Sequence, residues 1–101
     1  MRNPLKLLGL TALLTASSLV HSADALQIKS MAAACASCHG TKGVALKGME
    51  TLAGKSKDDL LKKLMDFKTG KKPATIMHQL SKGYSDEQLE QLATYFSTLK
   101  N

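Results

Sequence analysis

Cys35, Ala36, Ser37, Cys38 and His39 follow one another in the chain, and two thiols three residues apart with an imidazole directly behind them constrain the fold more than any other feature. On a helical turn, residues three apart share a face. Both sulfurs can then bond one edge of a flat ring, with the next residue's imidazole beneath its centre. This is the spacing of covalent haem attachment, Cys-x-x-Cys-His, in which the thiols become thioethers and the imidazole binds iron. Cys-x-x-Cys also marks thioredoxin-like dithiol oxidoreductases, whose thiols have a low pKa. That motif is expected beside a βαβ pattern, whereas Met31-Ala32-Ala33-Ala34 and Gly40-Thr41-Lys42-Gly43 read as a helix running into a loop. A structural zinc site usually needs four Cys or His ligands, and beyond the leader described next the chain has two cysteines with His39 and His78.

Residues 1–23 have the pattern of a cleaved secretory signal peptide. A basic start at Arg2 and Lys6 precedes an apolar run from Leu7 to Val20, diluted by Thr11, Thr15, Ser17 and Ser18. Cleavage is expected between Ser22 and Ala25, leaving residues 24–101 as one domain exported to the periplasm. The apolar stretch is short for a bilayer span, so no stable membrane span is expected after cleavage. What remains has two phenylalanines, two tyrosines and no tryptophan, a marginal core for a domain of this size. A disulfide between Cys35 and Cys38 would close a very small loop and stabilise little. A haem supplies the missing apolar body, so the cofactor reads as part of the core.

The full chain carries a net charge of +6. Beyond the leader, twelve lysines face eight acids, a modest basic excess. Few aromatics and no arginine after the leader argue against a nucleic-acid partner. The lysines suit steering of an acidic redox partner and equally suit a solvating surface. Lys42, Lys71, Lys72 and Lys82 are candidates for a contact rim.

The apolar spacing predicts an all-α fold of three main helices around one covalently bound haem. Leu26 to Ser37 forms a first helix that ends in the motif. Residues 40–55, with Gly40, Gly43, Gly48 and Gly54, form an irregular loop along the cofactor. Ser56 caps a second helix with Asp58 and Asp59 in its first turn. Leu60, Leu61, Leu64 and Phe67 recur on one face, and Lys57, Asp58, Lys62, Lys63 and Asp66 take the other. Gly70 ends this helix, and Pro73 keeps a second loop open. Ser85 and Gln88 form a capping box for the last helix, flanked by the staple pair Tyr84 and Leu89. Leu89, Leu92, Ala93, Phe96 and Leu99 make its apolar stripe.

The sixth iron position decides what such a haem does, because a second strong side-chain ligand favours electron transfer over binding of small molecules. Met1 lies in the leader, Met31 belongs to the cysteine-bearing helix, and Met65 reads as core filling inside the second helix. Met49 and Met77 stand in loops. Met77, thirty-eight residues beyond His39, has enough intervening chain to return on the far side of the ring and is preferred. Met49, the neighbouring His78 and an open site are the alternatives.

Cys35-Ala36-Ser37-Cys38-His39-Gly40, Ala74-Thr75-Ile76-Met77 and Leu92-Ala93-Thr94-Tyr95-Phe96 together resemble the class I c-type cytochromes over essentially the whole domain. Phe67-Lys68-Thr69-Gly70, Thr75-Ile76-Met77 and Ser81-Lys82-Gly83-Tyr84-Ser85 look most like the cytochrome subunit of flavocytochrome c sulfide dehydrogenase. The resemblance implies one haem c with thioether bonds at Cys35 and Cys38 and axial ligation by His39 and Met77. It also implies a periplasmic electron-transfer protein with no catalytic residue of its own, receiving electrons from a partner subunit whose FAD oxidises sulfide. A free-standing electron shuttle is the alternative within the family. Members of this family commonly carry a proline in the loop after the motif, near Glu50 here, but this chain has none between His39 and Pro73. The carbonyl that orients His39 through Nδ1 is therefore expected from Met49, Glu50 or another residue.

Overall fold

The computed structural model describes residues 16–101. Four helices follow in order, with no strand among the described residues: α1 (Ala16–His39), α2 (Lys57–Thr69), α3 (Met77–Lys82) and α4 (Asp86–Thr98). Most of the expected leader lies outside the described residues. No helix among those described is long and apolar enough to cross a membrane.

α1 is longer than the spacing predicts at both ends. It has no glycine or proline between Ala16 and His39, so nothing in the backbone interrupts it before Gly40. The whole Cys-Ala-Ser-Cys-His motif is consequently helical. Ala32 is buried, with Met31 and Cys35 partly buried against the same cluster, so one face of α1 meets the core while the motif sits at its C-terminal end.

α2 and α4 start where their sequence signals place them. Ser56 Oγ accepts a hydrogen bond from the Asp59 amide at 3.1 Å, and α2 ends at Gly70 with φ 82°. Ser85 Oγ accepts from the Gln88 amide at 3.1 Å, and Gln88 Oε1 accepts from the Ser85 amide at 2.9 Å, which completes the capping box. The α4 stripe buries Leu89, Leu92, Ala93 and Phe96. With Ala32 of α1 and Leu60 of α2, three of these residues form one core cluster. α4 packs on both α1 and α2. Lys57 pairs with Glu90 at 3.0 Å, and Lys68 donates to the Tyr84 carbonyl at 2.7 Å and to Asp86 at 2.8 Å. Both ends of α2 are therefore tied to the first half of α4 or its entry.

The stretch from 40 to 55 is mostly irregular, as expected, but it is folded onto the helices. It opens with a short 3₁₀ turn at Thr41–Gly43. The Gly43 carbonyl accepts the amides of Leu52 and Ala53 at 2.8 and 3.1 Å, and the Gly54 amide donates to the Phe96 carbonyl at 3.0 Å. Gly43 is buried against Phe96, where an added Cβ would lie 2.8 Å from the ring.

α3 was not expected. The segment around Met77 reads as a loop in sequence because Pro73 breaks helix at Lys72 and Ile76 supplies no side-chain cap. In the fold, the Ile76 carbonyl accepts the amides of Gln79 and Leu80 at 3.0 Å each. Packing on α2 then sustains six helical residues that local propensity would not hold alone.

Candidate functional site

The end of α1, the irregular loop, α2, α3 and α4 enclose a cavity of about 350 Å³. Cys35, Cys38 and His39 line it from α1, Met49 and Glu50 from the loop, and Met77, Leu80 and Ser81 from α3. Leu60, Leu64 and Phe67 of α2 and Leu89, Leu92 and Phe96 of α4 complete an apolar wall. All four residues singled out by sequence, Cys35, Cys38, His39 and Met77, thus face one space. Both loop methionines line it. Met77 stands at the first position of α3, which corrects its expected place in a loop. Met65 and His78 do not line the cavity. A larger and more open groove of about 680 Å³ between α1 and α4, lined by residues such as Leu26, Glu90 and Tyr95, holds no cysteine, histidine or methionine.

His39 is oriented by the backbone. Its Nδ1 lies 2.6 Å from the Glu50 carbonyl, one of the acceptors anticipated from sequence. A carbonyl only accepts, so Nδ1 carries the proton and Nε2 keeps a free lone pair, the form in which imidazole binds a metal. Gly40, immediately behind His39, has φ 86°, and a Cβ there would fall 1.9 Å from the Val44 carbonyl oxygen. The chain can turn away directly behind the ligand only because that residue is glycine.

Three further observations fit a large, flat, mostly apolar group with an iron centre. The donor set combines an imidazole with a free nitrogen, two thiols and a thioether, all on one cavity. Met49, Ile76 and Leu80 line that cavity while 47%, 54% and 48% exposed, so three large apolar side chains have their faces turned to a space that such a group would fill. Ser81 Oγ is buried with no hydrogen-bond partner among the described residues. A buried hydroxyl left alone is costly, and its place on the cavity wall would let it meet a polar atom of a bound group.

Electrostatics count against a dithiol site. Burial pushes the Cys35 thiol above its ordinary value, whereas a reactive Cys-x-x-Cys needs a lowered one. At the cavity edge, a hydrogen bond from Lys63 holds the Glu50 carboxyl below its usual range. Lys63 corrects a further expectation. Its charge groups it with the solvent face of α2, yet it lines the cavity and pairs with Glu50. Its periodicity relative to Leu60 and Phe67 contained this information, but its charge masked it.

Residues 28–100 match the family model described as cytochrome c. The chain belongs to the cytochrome c family. As a cytochrome c it binds haem c covalently, with Cys35 and Cys38 fitting the attachment motif, and it is an electron carrier. It is 38% identical over 65 residues to the cytochrome subunit of sulfide dehydrogenase from Chlorobaculum tepidum, a match covering 64% of this chain and 59% of that relative. It is 40% identical to cytochrome c-553 from Helicobacter pylori, covering 75% of this chain and 81% of that protein. A solved structure of cytochrome c4 from Acidithiobacillus ferrooxidans superposes with a TM-score of 0.63 at 32% identity, over 65% of this chain and 38% of that one. The chain therefore spans less than two thirds of the sulfide dehydrogenase subunit and of the cytochrome c4. The cytochrome c membership also removes the dithiol oxidoreductase alternative.

Proposed function

We propose that residues 24–101 form a periplasmic cytochrome c domain, exported by a signal peptide at residues 1–23, that carries single electrons with His39 and Met77 as axial iron ligands. The observation that carries this reading is the meeting of Cys35, Cys38, His39 and Met77 on one apolar cavity, with His39 Nδ1 already committed to the Glu50 carbonyl. When bound, haem c supplies an iron that alternates between Fe(III) and Fe(II). The chain's residues do the rest. Cys35 and Cys38 hold the ring at two points, and His39 is presented with Nε2 free. Met77 offers a neutral thioether, which favours the reduced iron and raises the potential relative to harder ligands. The leucine and phenylalanine walls exclude water, so little solvent must reorganise when charge changes. No side chain is required to form or break a substrate bond.

The donor is proposed to be the FAD-containing subunit of a sulfide dehydrogenase, with this chain as its non-catalytic haem subunit. The Chlorobaculum tepidum relative and the segments around Phe67, Thr75 and Ser81 support this role. Expression with such a flavoprotein subunit should give a complex that survives gel filtration and a haem that is reduced on adding sulfide. A haem protein that elutes alone and stays oxidised with sulfide and flavoprotein present would contradict it. The second reading, a free-standing shuttle, is favoured by the fuller match to cytochrome c-553, and that result would support it.

A further inference from the structure

Glu50, whose carbonyl orients the proposed iron ligand, is itself held differently from the residues around it. Its flanks include Gly48 at φ 96°, and no proline stands between His39 and Pro73. Its neighbours are anchored: the Met49 amide donates to the Leu46 carbonyl at 3.2 Å, the Leu52 amide to Gly43 at 2.8 Å, and Thr51 Oγ1 accepts from the Ala45 amide at 3.0 Å. Glu50 makes no backbone-to-backbone hydrogen bond among the described residues. Its carboxylate instead accepts a hydrogen bond from Lys63 Nζ. Lys63 belongs to α2, a helix capped at Ser56 and fixed in the core through Leu60, which is 4% exposed. It stands three residues after Leu60 and four before Phe67, on the cavity side.

We infer that the Lys63–Glu50 ion pair is a positioning device for the iron ligand: α2 holds the Glu50 side chain, which fixes the Glu50 carbonyl, which fixes the His39 ring. The inference rests on His39 as the axial ligand. It assigns to a charged pair the stiffness that a rigid backbone residue would otherwise give this loop. The two side chains are 39% and 46% exposed, so the pair adds little to global stability. Its effect is directional, because a ligand's hydrogen-bond acceptor must stay in line to keep the proton on Nδ1 and the lone pair on the iron.

A charge-reversal cycle on the haem-loaded protein tests this, using Glu50→Lys, Lys63→Glu and the double swap. The readout is hydrogen exchange of the His39 Nδ1 proton in the reduced protein, measured by NMR. Each single reversal should speed that exchange roughly tenfold, taking the scale by which losing a ligand-orienting partner weakens metal affinity or activity. The double swap should restore most of the protection. Lys63→Met, which removes the cation without adding a repelling charge, should accelerate exchange as well. Melting temperatures should hardly differ. Unchanged exchange in the single variants overturns the inference. So does acceleration by Lys63→Glu that the double swap leaves unrepaired, the pattern expected if Lys63 served the cofactor directly. The same spectra of the unaltered protein show whether the His39 ring protons are displaced by the haem. Without that displacement both the ligand assignment and the tether fail, whereas displacement with a flat cycle removes the tether alone.

Discussion

At Gly43 the backbone runs at φ 77° against the Phe96 ring, and its carbonyl receives two amides from the returning loop. A side chain there meets two penalties, the left-handed backbone and a ring that its Cβ would approach to 2.8 Å. Gly43→Ala should therefore destabilise the haem-loaded protein by about 2–4 kcal/mol, about 1–2 of it from backbone strain and the rest from overpacking. Denaturant unfolding followed by haem absorption measures this, and a loss below about 0.5 kcal/mol would show that the loop can move off Phe96 at the small cost of an ordinary surface change. Single residues were unevenly legible in the sequence. Cys35, Cys38 and His39 announce themselves because their chemistry lies in local spacing. Lys63 and Ser81 do not. The charge of Lys63 groups it with the solvent face of α2, and nothing in the local sequence marks Ser81 as a buried hydroxyl. Each acquires its place from contacts or burial that only the folded chain brings about.

Among the elements, α2 and α4 were readable at their starts because Ser56 and Ser85 satisfy amides that a helix leaves free, a requirement written into four consecutive residues. Ser85→Ala removes one half of the capping box and frees the Gln88 amide, at an expected cost of about 1 kcal/mol. Ser85→Gly should cost only a few tenths of a kcal/mol. Thermal unfolding of the two variants checks this order, and an alanine variant as stable as the parent would mean that packing of Leu89 alone fixes the start of α4. α3 could not be read in the same way. Its N-terminal neighbour Ile76 provides no cap, its six residues are too few for a periodic stripe, and its stability comes from α2. The cost of missing it was limited. Met77 still lines the cavity, because its preference over Met49 rests on chain length beyond His39, although both are shortlisted on an expected place in loops that holds for Met49 alone.

On the scale of the whole molecule, the sequence argument and the structure agree on why the domain needs its cofactor. The buried apolar residues among those described are seven, three of them alanines, which is thin for an independent core. Five of these seven, among them Leu60, Leu92 and Phe96, also line the cavity beside Cys35 and Cys38. The helices and the haem are thus one packing problem; the need for the cofactor is legible in the motif together with the shortage of large apolar residues, and the all-α fold class in the helical spacing and caps. Which partner meets the surface was less legible, since dispersed lysines suit both steering and solubility. The proposed function stands on this cavity being a closed site with His39 and Met77 on the iron. Proton NMR of the reduced, haem-loaded protein tests it most directly, because a methionine bound to the iron has its methyl group directly over the ring, where the ring current moves it far upfield. One such methyl, assigned to Met77, is expected together with displaced His39 ring protons; no upfield methyl, or one assigned to Met49, would overturn the proposed ligation.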